Sequence, residues 1–231
     1  MSAMRLLVSV RSVDEALAVA ACDGVDLIDL KEPRRGALGA LPLPALRAIV
    51  AALRGAGCTR SLSATVGDVA DDVLLDRVAA TAACGVDLVK VGIDALHGGA
   101  KPRLEALAAC GHAVVPVFLA DRGWDFAGVD AAAHLGFPAL MADTDDKRAG
   151  SLLEVCREAD LARFVARVRA AGRPVGLAGS LHARDLPALR RLVPDFAGFR
   201  SAVCGGDRAG SLDPVRLRAL VAQTREAVPA V

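Results

Sequence analysis

Apolar and polar residues along this chain fall into a repeating two-part pattern. Short runs rich in Val, Leu, Ile and Ala alternate with longer segments whose apolar residues recur at helical spacing. The short runs occupy residues 5–10, 27–31, 61–66, 88–92, 113–119, 139–144, 175–179 and 197–201. Most are continuously apolar. A strand reads that way when both its faces are buried, as in a parallel sheet covered by helices. Between the runs, Ser12 and Glu15 have the spacing of a capping box that opens a helix. Gly85, Gly111, Gly136 and Gly172 stand where helices should end. Pro102 and Pro214 stand near helix starts.

Eight β/α units in 231 residues predict an α/β protein, a single (β/α)8 TIM barrel domain over residues 1–231. No linker or shift of composition marks a second domain. A doubly wound open sheet is the alternative, disfavoured because no GxGxxG follows the first run. Three long connections follow strands: residues 32–44 and the segments after Asp121 and Asp143. In barrels that face carries the active site.

Composition narrows the function. Hydrophobic residues make up 54% and mean hydropathy is +0.41, enough for a large core. Aromatics are 3% and tyrosine is absent, so stacking platforms for single-stranded nucleic acid are nearly missing. The net charge is +1 with no basic stripe, which argues against nucleic acid and anionic membranes as partners. Arg34-Arg35 and Arg190-Arg191 read as solvated pairs. The six cysteines form no CxxC pair and the four histidines are dispersed, so neither a disulfide framework nor a metal site is expected. No cofactor is called for. The first residues lack a signal-peptide core and no run is long enough to span a bilayer, which gives the expectation of a cytoplasmic protein. Oligomeric state stays open, a homo-oligomer included.

Charge chemistry changes the picture most. Of 28 basic residues only four are lysines, and Lys31, Lys90 and Lys147 each close or follow an apolar run. Arginine keeps its proton in proteins; a buried lysine can lose one and attack a carbonyl to give a Schiff base. Asp29 and Lys31 are two apart and share a strand face. They read as a proton-passing pair or as a structural ion pair at a barrel rim. Lys90, flanked by valines, must be paired, deprotonated or snorkelling. Asp143 should sit at a strand tip with Lys147 in the loop beyond. Asp145 and Asp146 read as a solvated acidic loop. Lys101 reads as a surface residue. Gly179-Ser180 and Gly205-Gly206 follow the seventh and eighth strands, where backbone N–H groups of barrels often hold phosphate. Tight turns are the bland alternative. His182 follows the Gly179-Ser180 loop and could touch such a phosphate.

Together the stretches LLVSV, DLIDLKEPRRGALGA, LVKVG, MADTDDKRAGSLLE, GLAGSL and FRSAVCGGDRAGSLD resemble the (5-formylfuran-3-yl)methyl phosphate synthase family of methanofuran biosynthesis, over residues 6–213. That family is similar to class I aldolases. The resemblance implies a lyase that joins two molecules of glyceraldehyde 3-phosphate with loss of phosphate and water. It implies catalytic roles for Asp29, Lys31, Lys90, Asp143 and Lys147. Which lysine forms the imine does not follow from the sequence; Lys31 is the choice carried forward. Asp145-Asp146 departs from the family's less charged pattern. The family also occurs in methylotrophic bacteria with a methanofuran-like one-carbon carrier, and the Arg- and Ala-rich usage suits a GC-rich bacterial genome. Two other classes remain in view. One is another aldolase-like enzyme or a phosphosugar isomerase or epimerase on the same barrel. The other is a non-catalytic protein that binds a phosphorylated ligand.

Overall fold

A computed structural model describes residues 4–94, 100–205 and 209–225. Its strands are β1 (Arg5–Val10), β2 (Leu27–Leu30), β3 (Ser61–Thr65), β4 (Leu88–Ile93), β5 (Val114–Leu119), β6 (Leu140–Asp143), β7 (Val175–Leu177) and β8 (Phe196–Phe199). They close into one barrel in chain order, each paired in parallel with its neighbours. All eight predicted runs carry a strand; the last begins one residue earlier than the sequence suggests, at Phe196. The helices are α1 (Val13–Ala20), α2 (Leu43–Gly55), α3 (Asp71–Ala82), α4 (Ala100–Ala109), α5 (Phe126–His134), α6 (Leu152–Val155), α7 (Glu158–Ala170), α8 (Leu186–Leu192) and α9 (Pro214–Arg225). Gly85, Gly111, Gly136 and Gly172 follow α3, α4, α5 and α7 with φ between 71° and 90°, a region that favours glycine.

The strand period of two divides each strand between two cores. Leu6, Val8, Ile28, Leu30, Val89 and Val91 face outward onto the helices and belong to one large apolar cluster. Leu7, Leu27, Val115, Val117, Met141 and Phe196 fill the barrel interior. Phe196 fits there because β7 offers Gly176 opposite it; a Cβ at Gly176 would overlap the Phe196 ring. Above this apolar layer, toward the C-terminal strand ends, the interior becomes polar, with Ser9, Asp29, Lys31, Ser63, Thr65, Lys90 and Asp143 all buried.

The capping box expected at α1 is only half made. Ser12 Oγ accepts from the Glu15 N–H at 3.3 Å, but the Glu15 carboxylate accepts from the Arg11 N–H at 3.0 Å. It also receives Arg200 from the far end of the chain, at 2.6 and 3.0 Å. No helix among the described residues is long and apolar enough to cross a membrane. Cys84, Cys156 and Cys204 are buried, and burial pushes the Cys156 thiol up to about 11, so it behaves as a small hydrophobe.

Candidate active site

Register places the first carboxylate. Ser9 on β1 and Ser63 on β3 are the ladder partners of Asp29 on β2. All three side chains therefore point into the barrel at one level. Ser9 Oγ donates to Asp29 Oδ2 at 3.0 Å and Ser63 Oγ donates to Oδ1 at 2.7 Å. Lys90 Nζ lies 2.9 Å from the same Oδ1, and Lys31 Nζ lies 4.0 Å from Oδ2. Neither serine stood out in the sequence as a site residue. The signal was present: each interrupts an apolar run on the same face parity as a neighbouring charged residue.

The second carboxylate ends β6. Asp143 accepts from the Thr144 N–H at 2.7 Å and is ion-paired with Lys147, which also donates to Thr144 Oγ1 at 3.1 Å. Lys147 sits in a loop, so its aim depends on what holds that loop. Asp121, just past β5, accepts from the N–H groups of Asp145 and Asp146 at 2.7 and 2.8 Å. Arg122 bridges Asp145 and Asp94. Asp146 is exposed, as a solvated loop predicts; Asp145 is instead fixed by Arg122.

Lys31 lies between the two carboxylates. It follows the last residue of β2, and its side chain is 10% exposed. Burial, the largest cause, lowers its pKa to about 8; Lys147 and Lys90 push the same way, while Asp143 and Asp29 oppose. An amine near 8 is partly a free base at neutral pH. Asp29 and Asp143 show the opposite balance. Burial disfavours their ionisation, yet the adjacent lysines and hydrogen bonds hold both below the usual carboxylate range. Three lysines against two carboxylates also leave the recess a net positive field when all are ionised, suited to an anionic substrate.

A plug closes one side of the mouth. The segment after β2 folds back over the barrel, with the Glu32 N–H donating to Gly39 O at 2.8 Å and Thr65 Oγ1 donating to the same carbonyl at 2.9 Å. This brings Leu38 against Gly92 and into the interior apolar cluster. The remaining recess holds about 480 Å³ of empty space, counting its mouth. Asp29, Lys31, Lys90, Asp143 and Lys147 all line it, as do Thr65, Arg200 and Ser201.

Gly179 and Ser180 line it too. Their φ angles are 118° and 45°, two left-handed residues in succession. A Cβ at Gly179 would meet Thr144 at 3.0 Å, so the loop needs glycine for space and for conformation. Neither N–H makes a hydrogen bond to a described residue, which leaves both free for an anion. Gly205 is placed elsewhere. It is exposed, does not line the recess, and donates its N–H to Ser211 O at 3.1 Å across the antiparallel bridge Cys204–Leu212. Gly206 lies outside the described residues. Arg200, which the sequence did not single out, enters the recess wall just past the end of β8. It is buried, paired with Glu15, and donates to Ser9 O at 3.1 Å. No group of His, Cys, Asp and Glu side chains suited to a metal ion occurs among the described residues.

Fold and site together define a class: a (β/α)8 barrel with a buried lysine–carboxylate cluster at the C-terminal mouth. The model of the 4-HFC-P synthase family matches residues 6–221. The chain belongs to this family of enzymes. A Methylorubrum extorquens protein, provisionally named a (5-formylfuran-3-yl)methyl phosphate synthase, is 42% identical over 98% of this chain and 92% of its own length. The Methanosarcina mazei (5-formylfuran-3-yl)methyl phosphate synthase is 32% identical over 95% of this chain and 99% of its own. Among solved structures, a phosphoribosyl anthranilate isomerase from Thermus thermophilus superposes with a TM-score of 0.64 at 19% identity, over 95% of this chain and 98% of that one, a likeness of fold.

Proposed function

We propose that the protein condenses two molecules of glyceraldehyde 3-phosphate into (5-formylfuran-3-yl)methyl phosphate through an imine on Lys31, as a step toward a methanofuran-type one-carbon carrier in the cytoplasm. The observation that carries this reading is the Lys31 amine, buried between Asp29 and Asp143 with its pKa lowered to about 8. Its free-base form attacks the aldehyde and water leaves as the imine forms. The imine acidifies the neighbouring C–H, and Asp143 or Asp29 takes that proton. The electron pair then expels phosphate from the third carbon, toward the free N–H groups of Gly179 and Ser180.

The three-carbon unit left on Lys31 is a nucleophile and joins the second triose. In the product the ring carbon bearing the phosphomethyl group has three carbon neighbours. The new bond therefore forms at the second triose's central carbon, after a proton shift makes that carbon the carbonyl. Lys147, aimed by Asp143 and Thr144, is the acid–base group for this shift and for the dehydrations. Lys90 keeps the Lys31 pKa low and neutralises Asp29. Ring closure and hydrolysis of the imine return Lys31. The balance for two trioses is one furan, one phosphate and two waters.

Incubation with glyceraldehyde 3-phosphate should give a product absorbing as a furan aldehyde, with the mass of (5-formylfuran-3-yl)methyl phosphate and one phosphate per furan. Triose isomerisation without a furan would place the chain with the isomerases instead.

A further inference from the structure

We infer that a second phosphate site lies outside the catalytic recess, and that it holds the triose phosphate whose phosphate remains in the product. The inference rests on the two-triose reading above. An open basin with about 1320 Å³ of empty space adjoins the recess and shares Lys147, Ser180 and Ser201 with it. Its wall carries Arg34, Arg148, Arg184 and His182. The carboxylates that also line it are already engaged. Asp145 is held by Arg122, Asp146 accepts the Arg148 N–H at 2.9 Å, and Glu154 accepts the Ser151 N–H at 2.7 Å and Arg184 at 3.0 Å. The Arg34 guanidinium makes no hydrogen bond or ion pair with a described residue. Arg148 is 97% exposed, with only Asp146 near its Nε, at 4.0 Å. The basin thus offers two arginines whose charge is largely unspent.

Geometry explains why a second site is needed. Two phosphate dianions side by side in the low-dielectric inner recess would repel strongly. The basin opens beside Lys147, the group that must reach the second triose's reacting carbons. A triose whose phosphate sits on Arg34 and Arg148 extends its carbonyl end past Lys147 toward Lys31. Guanidinium groups suit this task because their planar donors bind phosphate in pairs.

The test compares wild type with the double variant Arg34→Gln/Arg148→Gln. Two readouts are taken against glyceraldehyde 3-phosphate concentration: borohydride labelling of Lys31, which reports the first triose, and furan formation, which needs both. Labelling should keep its half-saturating concentration. Furan formation should need about tenfold more substrate, and below saturation free phosphate should exceed furan because the eliminated unit finds no partner. Arg34→Lys/Arg148→Lys should recover part of the shift. If labelling and turnover shift together, the basin holds the first triose and the inference is wrong. If neither shifts, the basin is not a subsite. A wild type that is neither labelled nor active sinks the functional reading, and the subsite with it; a labelled, active wild type with an indistinguishable variant sinks the subsite alone.

Discussion

Replacing Lys31 with methionine should abolish turnover and make the protein more stable at neutral pH. The side chain is 10% exposed, and its pKa falls from 10.5 in the unfolded chain to about 8 in the fold. A lysine with a depressed folded pKa binds its proton more tightly when unfolded. Below pH 8 the folded state must carry a buried ammonium, and the cost is present in full. Between about 8 and 10.5 the unfolded chain still holds the proton and the folded one does not, so stability rises with pH. Above 10.5 the cost is gone. The interval corresponds to roughly 3 kcal/mol at about 1.4 kcal/mol per unit. Methionine keeps most of the stem's bulk and has no proton to lose. Asp29 and Asp143 retain Lys90 and Lys147 as partners. Urea unfolding of both proteins at pH 7, 8, 9 and 10 follows this group and the neighbours coupled to it, because titrations remote from Lys31 cancel in the difference. The variant should lead by on the order of 3 kcal/mol at pH 7, and the lead should shrink steadily above pH 8. A difference that does not change with pH, or a variant less stable throughout, refutes the depressed pKa.

Three further outcomes follow from the same geometry. The value of kcat/KM should fall about tenfold per pH unit below about 8 as Lys31 takes up its proton, and a flat profile from pH 6 to 8 would exclude a free-amine nucleophile with that pKa. Arg200→Met should destabilise the protein by roughly 2–3 kcal/mol, because it removes two charged hydrogen bonds from the buried Glu15 carboxylate, which keeps Arg11 and the Leu212 N–H; a change below about 1 kcal/mol in urea unfolding would contradict this. Asp121→Ala should release the loop that aims Lys147, lowering kcat by roughly 10–100-fold while Lys31 labelling survives; unchanged kcat would show that Lys147 needs no such support.

The barrel was legible because strands buried on both faces leave unbroken apolar runs, and glycines mark where α3, α4, α5 and α7 stop. The scarcity of lysine singled out Lys31, Lys90 and Lys147 before any contact was visible. What the sequence hid depends on closure. Ser9 and Ser63 become partners of Asp29 only once register aligns three strands from separate parts of the chain. Glu15 has local capping-box spacing, yet a charged guanidinium 185 residues away competes better for its oxygens than the Ser12 N–H does. Gly205 looks like a phosphate loop in one dimension, but the antiparallel bridge after β8 takes its N–H. Asp145 resembles a solvated acid until Arg122 from the preceding loop reaches it.

The central claim is that Lys31 carries the substrate as an imine. Borohydride reduction in the presence of glyceraldehyde 3-phosphate, followed by peptide mass spectrometry, reads it directly. Wild type should gain a three-carbon adduct on the peptide containing Lys31. Lys31→Arg, which keeps the charge but not the removable proton, should stay folded, unlabelled and inactive. Full turnover in that variant, or an adduct confined to Lys90 or Lys147, would contradict the account.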